Sequence, residues 1–270
     1  MAAGENPVSG TALHEQETEF HNAWAASTNL EDVLVRECFE APSAMENRFI
    51  LERMGNLAGR KVLDIGAGLG ESSIYFALRG AEVTTTDISP LMVQTVLQLA
   101  RKFNVEVSGI VSTAESLNVP DDYFDFVYIA NTIHHVQNRA KLFGQIHRTL
   151  KPGGTFFSYD PLAYKPVINL YRRMATEVRT DDETPLTRSD IELAKKYFSG
   201  VGHREFWLLS LALFLKYFLL DRIHPNADRY WKRILRECAE SLRWWMPLAA
   251  TDRWLTRLPG IRWLAWNIAM

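Results

Sequence analysis

The stretch Val62-Leu63-Asp64-Ile65-Gly66-Ala67-Gly68-Leu69-Gly70 decides the fold: an apolar run ends in a carboxylate and then places a glycine at every second position. Lacking a Cβ, Gly66, Gly68 and Gly70 let a strand turn sharply into a helix and bring bare backbone amides against a ligand. This is the pattern of a nucleotide cradle. In a dinucleotide fingerprint the third glycine falls one residue later, where this chain has Glu71. Asp64, inside the strand end, is a second departure from that fingerprint.

Outward from the cradle the same logic repeats. About seventeen residues past Gly70, Val83-Thr84-Thr85-Thr86-Asp87 reads as a second strand, rich in β-branched residues and closed by a carboxylate able to accept both ribose hydroxyl hydrogens. NAD enzymes share that carboxylate, so alone it does not discriminate. Val111-Ser112-Thr113-Ala114-Glu115-Ser116-Leu117 reads as a third loop. Phe124-Asp125-Phe126-Val127-Tyr128-Ile129-Ala130-Asn131 forms a fourth strand running into Thr132-Ile133-His134-His135-Val136. Lys151-Pro152-Gly153-Gly154-Thr155 is a tight turn opening a fifth strand that ends at Tyr159-Asp160-Pro161.

In this order and spacing, over roughly a hundred residues, the stretches resemble the class I S-adenosylmethionine (SAM) methyltransferases, in the small-molecule branch (methyltransferase type 11) that includes quinone and natural-product enzymes. The resemblance implies an α/β, Rossmann-like, doubly wound sheet of seven mostly parallel strands, the last one antiparallel, with helical elaborations at the N-terminus and between the late strands. It also implies SAM as cofactor: its methionine end at Asp64, Gly66, Ala67 and Gly68, its ribose at Asp87 beside Ile88, its adenine along Thr113, Ala114 and Glu115, and Asn131 closing the site. Many members of that family carry an acid where Thr113 stands; Glu115, or backbone and apolar contacts with Ile88 and Ala114, would compensate here.

Length and composition agree. A chain of 270 residues with 47% hydrophobic content has the core of one large domain. Cys38 and Cys238 lie far apart without CxxC spacing, so neither a disulfide framework nor a zinc site is suggested and the compartment reads as reducing. Met1-Ala2-Ala3-Gly4-Glu5-Asn6-Pro7 has no basic or apolar leader character, so the expected location is cytoplasmic.

Residues 1–58 are expected to form a helical cap, with helical spacing clearest at 47–54. Residues 59–270 are expected to be the methyltransferase domain, with lid or insert segments at about 162–200 and 212–258. Within it, 72–78, 91–103 and 139–150 have the character of crossover helices. After Gly202-His203-Arg204-Glu205 the apolar run 206–220 is too short to cross a bilayer; its first half fits a sixth strand and its second half an inserted helix. Residues 226–246 read as an amphipathic helix with Tyr230, Trp231, Ile234, Leu235, Leu242 and Trp245 on one face and Arg229, Lys232, Arg233, Arg236 and Arg243 opposite. Residues 261–270 read as the final, antiparallel strand.

That last third is unusual in composition. Seven of the eight tryptophans lie after residue 203, and from Arg204 onward eleven Lys and Arg face six Asp and Glu in a chain whose net charge is −2. Indole and cation together suit a membrane interface; a lid packed on the sheet is the alternative. Nucleic acid is disfavoured, because the chain is net acidic and its basic residues are interleaved with apolar bulk. The acceptor is expected to be small and lipophilic, methylated on O, N or C.

Methyl transfer asks for alignment more than for protein chemistry, since the sulfonium carbon is already electrophilic. A hydroxyl acceptor additionally needs a base. His135 is the candidate, with His134, Tyr159, Asp160 and Glu183 as alternatives; Tyr171, Arg172 and Arg173 are candidates to roof the acceptor pocket, followed by the acidic run Asp181-Asp182-Glu183. His203 reads as part of the sheet region. No metal is expected, because the seven histidines show no ligand spacing with carboxylates. The rival readings are a nicotinamide oxidoreductase on the same fold and a SAM-fold protein that does not methylate.

Overall fold

The computed structural model describes residues 10–176 and 183–270. Among these, seven strands form one sheet: β1 (Lys61–Ile65), β2 (Glu82–Asp87), β3 (Val107–Val111), β4 (Phe124–Ala130), β5 (Leu150–Pro161), β6 (Arg204–Phe206) and β7 (Asn267–Ala269). Their order is β3-β2-β1-β4-β5-β7-β6. The first five are parallel and β7 runs antiparallel to both β5 and β6, as the resemblance implied. The order reverses between β1 and β4, so the carboxyl ends of those two strands open the crevice where ligands of such sheets bind.

Both faces of the sheet are covered, and the strand residues divide by alternation. Val62 and Tyr128 point into one apolar cluster with Ile50, Phe76 and Val96, whereas Leu63, Ile65, Val127 and Ile129 point into the other with Phe143 and Ile146. Each such side chain, fully buried, contributes roughly 1.5–3 kcal/mol. Helices α1 (Gly10–Ser27), α2 (Glu37–Glu40) and α3 (Met45–Met54) precede the sheet, and α4 (Glu71–Leu78), α5 (Pro90–Phe103) and α6 (Arg139–Thr149) are its crossovers. α5 shows why the register is firm: Ser89 caps it by accepting from Met92 N at 3.0 Å, Pro90 fills the first turn, and Asn104 ends it at φ +54°. Gly70 brings α4 against α5, since a Cβ there would lie 2.9 Å from Val96 Cγ2.

The late part, α7 (Pro166–Met174), α8 (Arg188–Ala194), α9 (Ala212–Leu215), α10 (Tyr230–Arg233) and α11 (Met246–Leu255), departs from the sequence expectation in three places. In the run 206–220 the second half is helical as expected, α9 continuing as a π-helical turn over Lys216–Leu220, but the first half is hardly a strand at all. β6 ends at Phe206, Trp207 takes φ +67°, and the buried carboxylate of Asp252 gathers the N–H groups of Leu208, Leu209 and Ser210 at 2.9, 2.7 and 3.0 Å plus the Ser210 hydroxyl at 2.5 Å. A carboxylate more than forty residues away thus folds the segment, which no local pattern announces.

The long helix over 226–246 does not form either. Helix α10 passes into a 3-10 turn at Ile234–Arg236 and stops. The carbonyl of Ile234, which a continuing helix would give to residue 238, instead accepts the Ser43 hydroxyl at 2.5 Å. The apolar positions are still used, because Tyr230, Ile234, Leu242 and Trp245 are all buried. Arg229 and Lys232 turn inward: Arg229 lies 4.0 Å over the Trp24 ring, and Lys232 Nζ is 2.7 Å from Glu71 Oε1. The final strand is likewise shorter than 261–270, since a 3-10 turn at Ile261–Leu264 precedes β7.

Much of the late tryptophan content is core. Trp207 packs against Trp245 and Trp266 with ring centroids 5.4 and 5.9 Å away, and all three are buried. Trp244 and Trp254 are exposed. Among the described residues no helix is long and apolar enough to cross a membrane.

Candidate functional site

A cavity of about 300 Å³ opens at the carboxyl ends of β1, β2 and β4. Its nucleotide end is built by the glycine turn. Gly66 (φ +68°) and Ala67 donate their N–H groups to Thr86 O at 2.8 and 3.1 Å, tying the turn to β2. A Cβ on Gly66 would fall 2.4 Å from Thr132 Oγ1, whereas one on Gly68 (φ +53°) would meet nothing within 4 Å. Gly66 is therefore required for packing, and Gly68 leaves a bare backbone facing open space.

Three carboxylates fix this end. Asp87 Oδ2 accepts from Gly68 N at 3.0 Å and Oδ1 from Ser89 N at 2.9 Å. Burial pushes its pKa up, while those two N–H groups pull it down. Asp64 is buried beneath the turn and accepts the Ser73 hydroxyl at 2.6 Å, which anchors the start of α4; burial pushes its carboxyl up to about 7. Glu115 is buried with His14 Nε2 of α1 3.6 Å away. Ile88, Thr113 and Ala114 line the same wall. Asn131 adopts φ +49° and donates its N–H to Tyr159 O at 2.8 Å, closing β4 against β5.

The far end carries the histidines. His134 Nδ1 is 2.8 Å from Asp160 Oδ1, which also accepts the His134 N–H at 3.2 Å. Burial pushes Asp160 up to about 8 against those N–H bonds. His134 Nε2 lies 3.8 Å from Glu183 Oε2. His135 Nδ1 lies 3.1 Å from Glu17 Oε1, and the other oxygen of Glu17 lies 3.2 Å from His21 Nε2. Between the two ends the wall is apolar and aromatic, with Phe20, Trp24, Ile168, Trp207, Trp231 and Leu235.

The structure thus gathers Asp64, Gly66, Ala67, Gly68, Asp87, Ile88, Thr113, Ala114, Glu115, Asn131 and His135 on one cavity, joined by His134, Tyr159, Tyr171, Arg172 and Glu183. Asp160 stands behind His134. Arg172 and Arg173 separate: Arg172 lines the cavity and donates to Asn169 Oδ1 at 2.9 Å, whereas Arg173 is exposed and away from it. His203 pairs with Glu205 at 2.6 Å on β6, remote from the cavity. Asp181 and Asp182 lie outside the described residues.

Glu17 and His21 escape the sequence reading, although His14, Glu17 and His21 recur at the i, i+3, i+7 spacing that puts them on one face of a helix over 10–27. Glu46 was missed for a different reason. Its Oε1 accepts from Trp207 Nε1 at 2.8 Å and Asn267 Nδ2 at 2.6 Å, partners 161 and 221 residues away. Burial pushes this carboxyl up to about 7.

Comparison with known proteins bears on the family and the fold. Residues 63–158 match the family described as "Methyltransferase domain". The sterol 24-C-methyltransferase of Eremothecium gossypii is 27% identical over 192 residues, covering 68% of this chain and 51% of that protein. The ubiquinone biosynthesis O-methyltransferase of Pseudomonas syringae is 38% identical over 120 residues, covering 42% of this chain and 51% of that protein. The chain spans about half the length of each. Haemonchus contortus phosphoethanolamine N-methyltransferase 2, solved with phosphomonomethylethanolamine and S-adenosylhomocysteine, shares the fold at TM-score 0.57 and 19% identity, over 93% of this chain and 55% of that one.

Proposed function

We propose, for a chain that belongs to the class I SAM-dependent methyltransferases, that its cavity binds SAM and directs the methyl group to a small lipophilic acceptor. The observation that carries this is convergence: the cradle, Asp87 with Ile88, Thr113 to Glu115, and Asn131 come from four separate loops and meet on one cavity. The fit is supported by Gly68, whose backbone faces open space, and by Ser112 Oγ on the same wall, which has no hydrogen-bond partner among the described residues. SAM supplies an electrophilic methyl when bound. Asp87 would accept from the ribose hydroxyls, and the open space beside Gly68, where no Cβ intrudes, would admit the methionine end.

The residues at the other end orient the acceptor and exclude water. The aromatic wall of Trp24, Trp207 and Trp231 suits an apolar acceptor and keeps the reacting atoms dry. His135 faces the acceptor's nucleophile in this reading. Where that nucleophile is a hydroxyl, His135 receives its proton, with Glu17 orienting the imidazole from 3.1 Å. The relatives named for sterol and ubiquinone chemistry support a lipophilic acceptor. So does an exposed apolar set at Leu215, Leu219, Leu220 and Trp254, among the basic residues of the last third, which suits docking at the membrane where such acceptors reside.

The test is calorimetric titration with SAM and S-adenosylhomocysteine, followed by a product assay over quinones, sterols, phenols and phospholipid amines. Binding of both nucleosides with turnover of a panel member is expected. Nucleoside binding with no turnover on any class would favour a non-methylating use of the fold, and binding of NAD(H) in place of SAM would overturn the reading.

A further inference from the structure

The histidine end of the cavity has a composition that proton transfer alone does not call for. Ligand atoms of His134, His135 and Glu183 all lie within 4.8 Å of one another, one nitrogen each from two imidazoles and one carboxylate oxygen. His134 Nε2 and Glu183 Oε2 are already 3.8 Å apart. Bonds of ~2.1 Å to a tetrahedral ion place ligand atoms about 3.4 Å apart, so a modest closure of Glu183 toward the histidines completes three corners.

The second observation is independent of that spacing. Metal-binding histidines characteristically have the other ring nitrogen held by a carboxylate, which fixes the tautomer and makes the ligating nitrogen more basic. Both histidines have this arrangement: Asp160 Oδ1 is 2.8 Å from His134 Nδ1, and Glu17 Oε1 is 3.1 Å from His135 Nδ1. His134 Nε2 is the ring nitrogen that lies toward Glu183, and in each ring a carboxylate beside Nδ1 fixes the tautomer that coordination through Nε2 requires. Two adjacent histidines oriented by carboxylates from different elements, β5 and α1, with a third carboxylate brought by the segment before α8, form a built site. Two imidazoles and a carboxylate select zinc, cobalt or iron over magnesium, calcium or manganese.

We infer that His134, His135 and Glu183 bind one divalent first-row transition-metal ion, oriented by Asp160 and Glu17, at the acceptor end of the cavity. The inference rests on the reading that the acceptor's nucleophile meets this end. It narrows the acceptor to a molecule offering an oxygen able to complete the ion's shell. In the metal-loaded protein His135 would act as ligand in place of base, and an acceptor hydroxyl would be held as its oxyanion, having lost its proton to solvent on binding.

The test uses the full chain freed of metal by chelator and dialysis. It is titrated calorimetrically with Zn²⁺ and, separately, with Co²⁺ followed by its visible d–d absorption, with SAM titrated in parallel. One ion per chain and a four- or five-coordinate Co²⁺ spectrum are expected, both abolished in Glu183→Gln and His135→Ala. Glu17→Gln, which removes an orienting carboxylate and no ligand, should weaken Zn²⁺ binding roughly 10- to 100-fold. Zn²⁺ uptake unchanged in all three variants, or an octahedral aqua-like Co²⁺ spectrum, would overturn the site. SAM affinity separates this from the broader reading: metal binding without SAM binding breaks the proposed function alone, and SAM binding without metal breaks only this inference. If Glu183→Gln fails to fold, Glu17→Gln still decides.

Discussion

Replacing Glu46 by glutamine should make this protein's stability less dependent on pH, with a sign that can be worked out from the structure. Glu46 is buried, and burial raises its carboxyl from an ordinary 4.5 to about 7, the Asn267 and Trp207 donors opposing that rise. A carboxyl raised in the folded state favours folding most when protonated. Its contribution is fully present below pH 4.5 and is lost as pH climbs through 7. The difference corresponds to about 3 kcal/mol across that window. Glutamine keeps an oxygen for Trp207 Nε1 and Asn267 Nδ2 and has nothing to ionise. Urea unfolding of both proteins at pH 4.5, 6, 7 and 8.5 should therefore show Glu46→Gln gaining on the parent by about 3 kcal/mol from the first pH to the last. Other titrating groups cancel in the difference. A difference between the two proteins that stays flat over that range would refute the argument that Glu46 is held against its charge.

Further outcomes follow from other contacts. Asp87→Ala removes the acceptor that Gly68 N and Ser89 N share, and SAM affinity should fall by at least about 1.5–3 kcal/mol in calorimetry; an unchanged affinity would remove Asp87 from the ribose. Asp252→Ala leaves three backbone N–H groups and a hydroxyl without their shared acceptor and should cost upward of about 3 kcal/mol in denaturant unfolding; a loss near zero would mean water replaces the carboxylate. In liposome flotation with anionic lipid the parent should rise with the vesicles, and Leu219→Ser with Leu220→Ser should not, since these side chains are 62% and 75% exposed. A parent left at the bottom of the gradient would end the membrane reading.

The parallel half of the sheet was legible because its signals are local. Val62 to Gly70, the β-branched run ending at Asp87, and the Ser89-Pro90 start of α5 each declare their conformation within a few residues. The residues lining the nucleotide end of the cavity were legible for the same reason, since each lies at or just past the end of a strand. The late third was not, because distant partners decide its backbone: Asp252 folds 208–210, and Ser43 takes the carbonyl that 226–246 would need to continue as a helix. A helical pattern of apolar residues says which side chains will be buried, and Tyr230, Ile234, Leu242 and Trp245 are; it does not say that one helix will bury them. The histidine cluster shows the same limit, for Glu17 stands 118 residues from His135, and Glu183 stands nearly fifty past His134.

The walls of the cavity come from two parts of the chain. The cradle, Asp87, Thr113 and Asn131 fall within residues 63–158, the part shared with other methyltransferase domains, whereas Glu17, Glu46, Trp207, Trp231 and Asn267 all lie outside it. The pocket is therefore composite along the chain: one half is bounded by strand-end loops within 63–158, and the other is assembled from flanking segments that meet only after folding. The two halves are tied by a few polar contacts, Glu17 to His135 and Lys232 to Glu71 among them. Grafting those flanking segments between relatives, rather than exchanging single residues in the shared domain, is the manipulation through which a change of acceptor should travel.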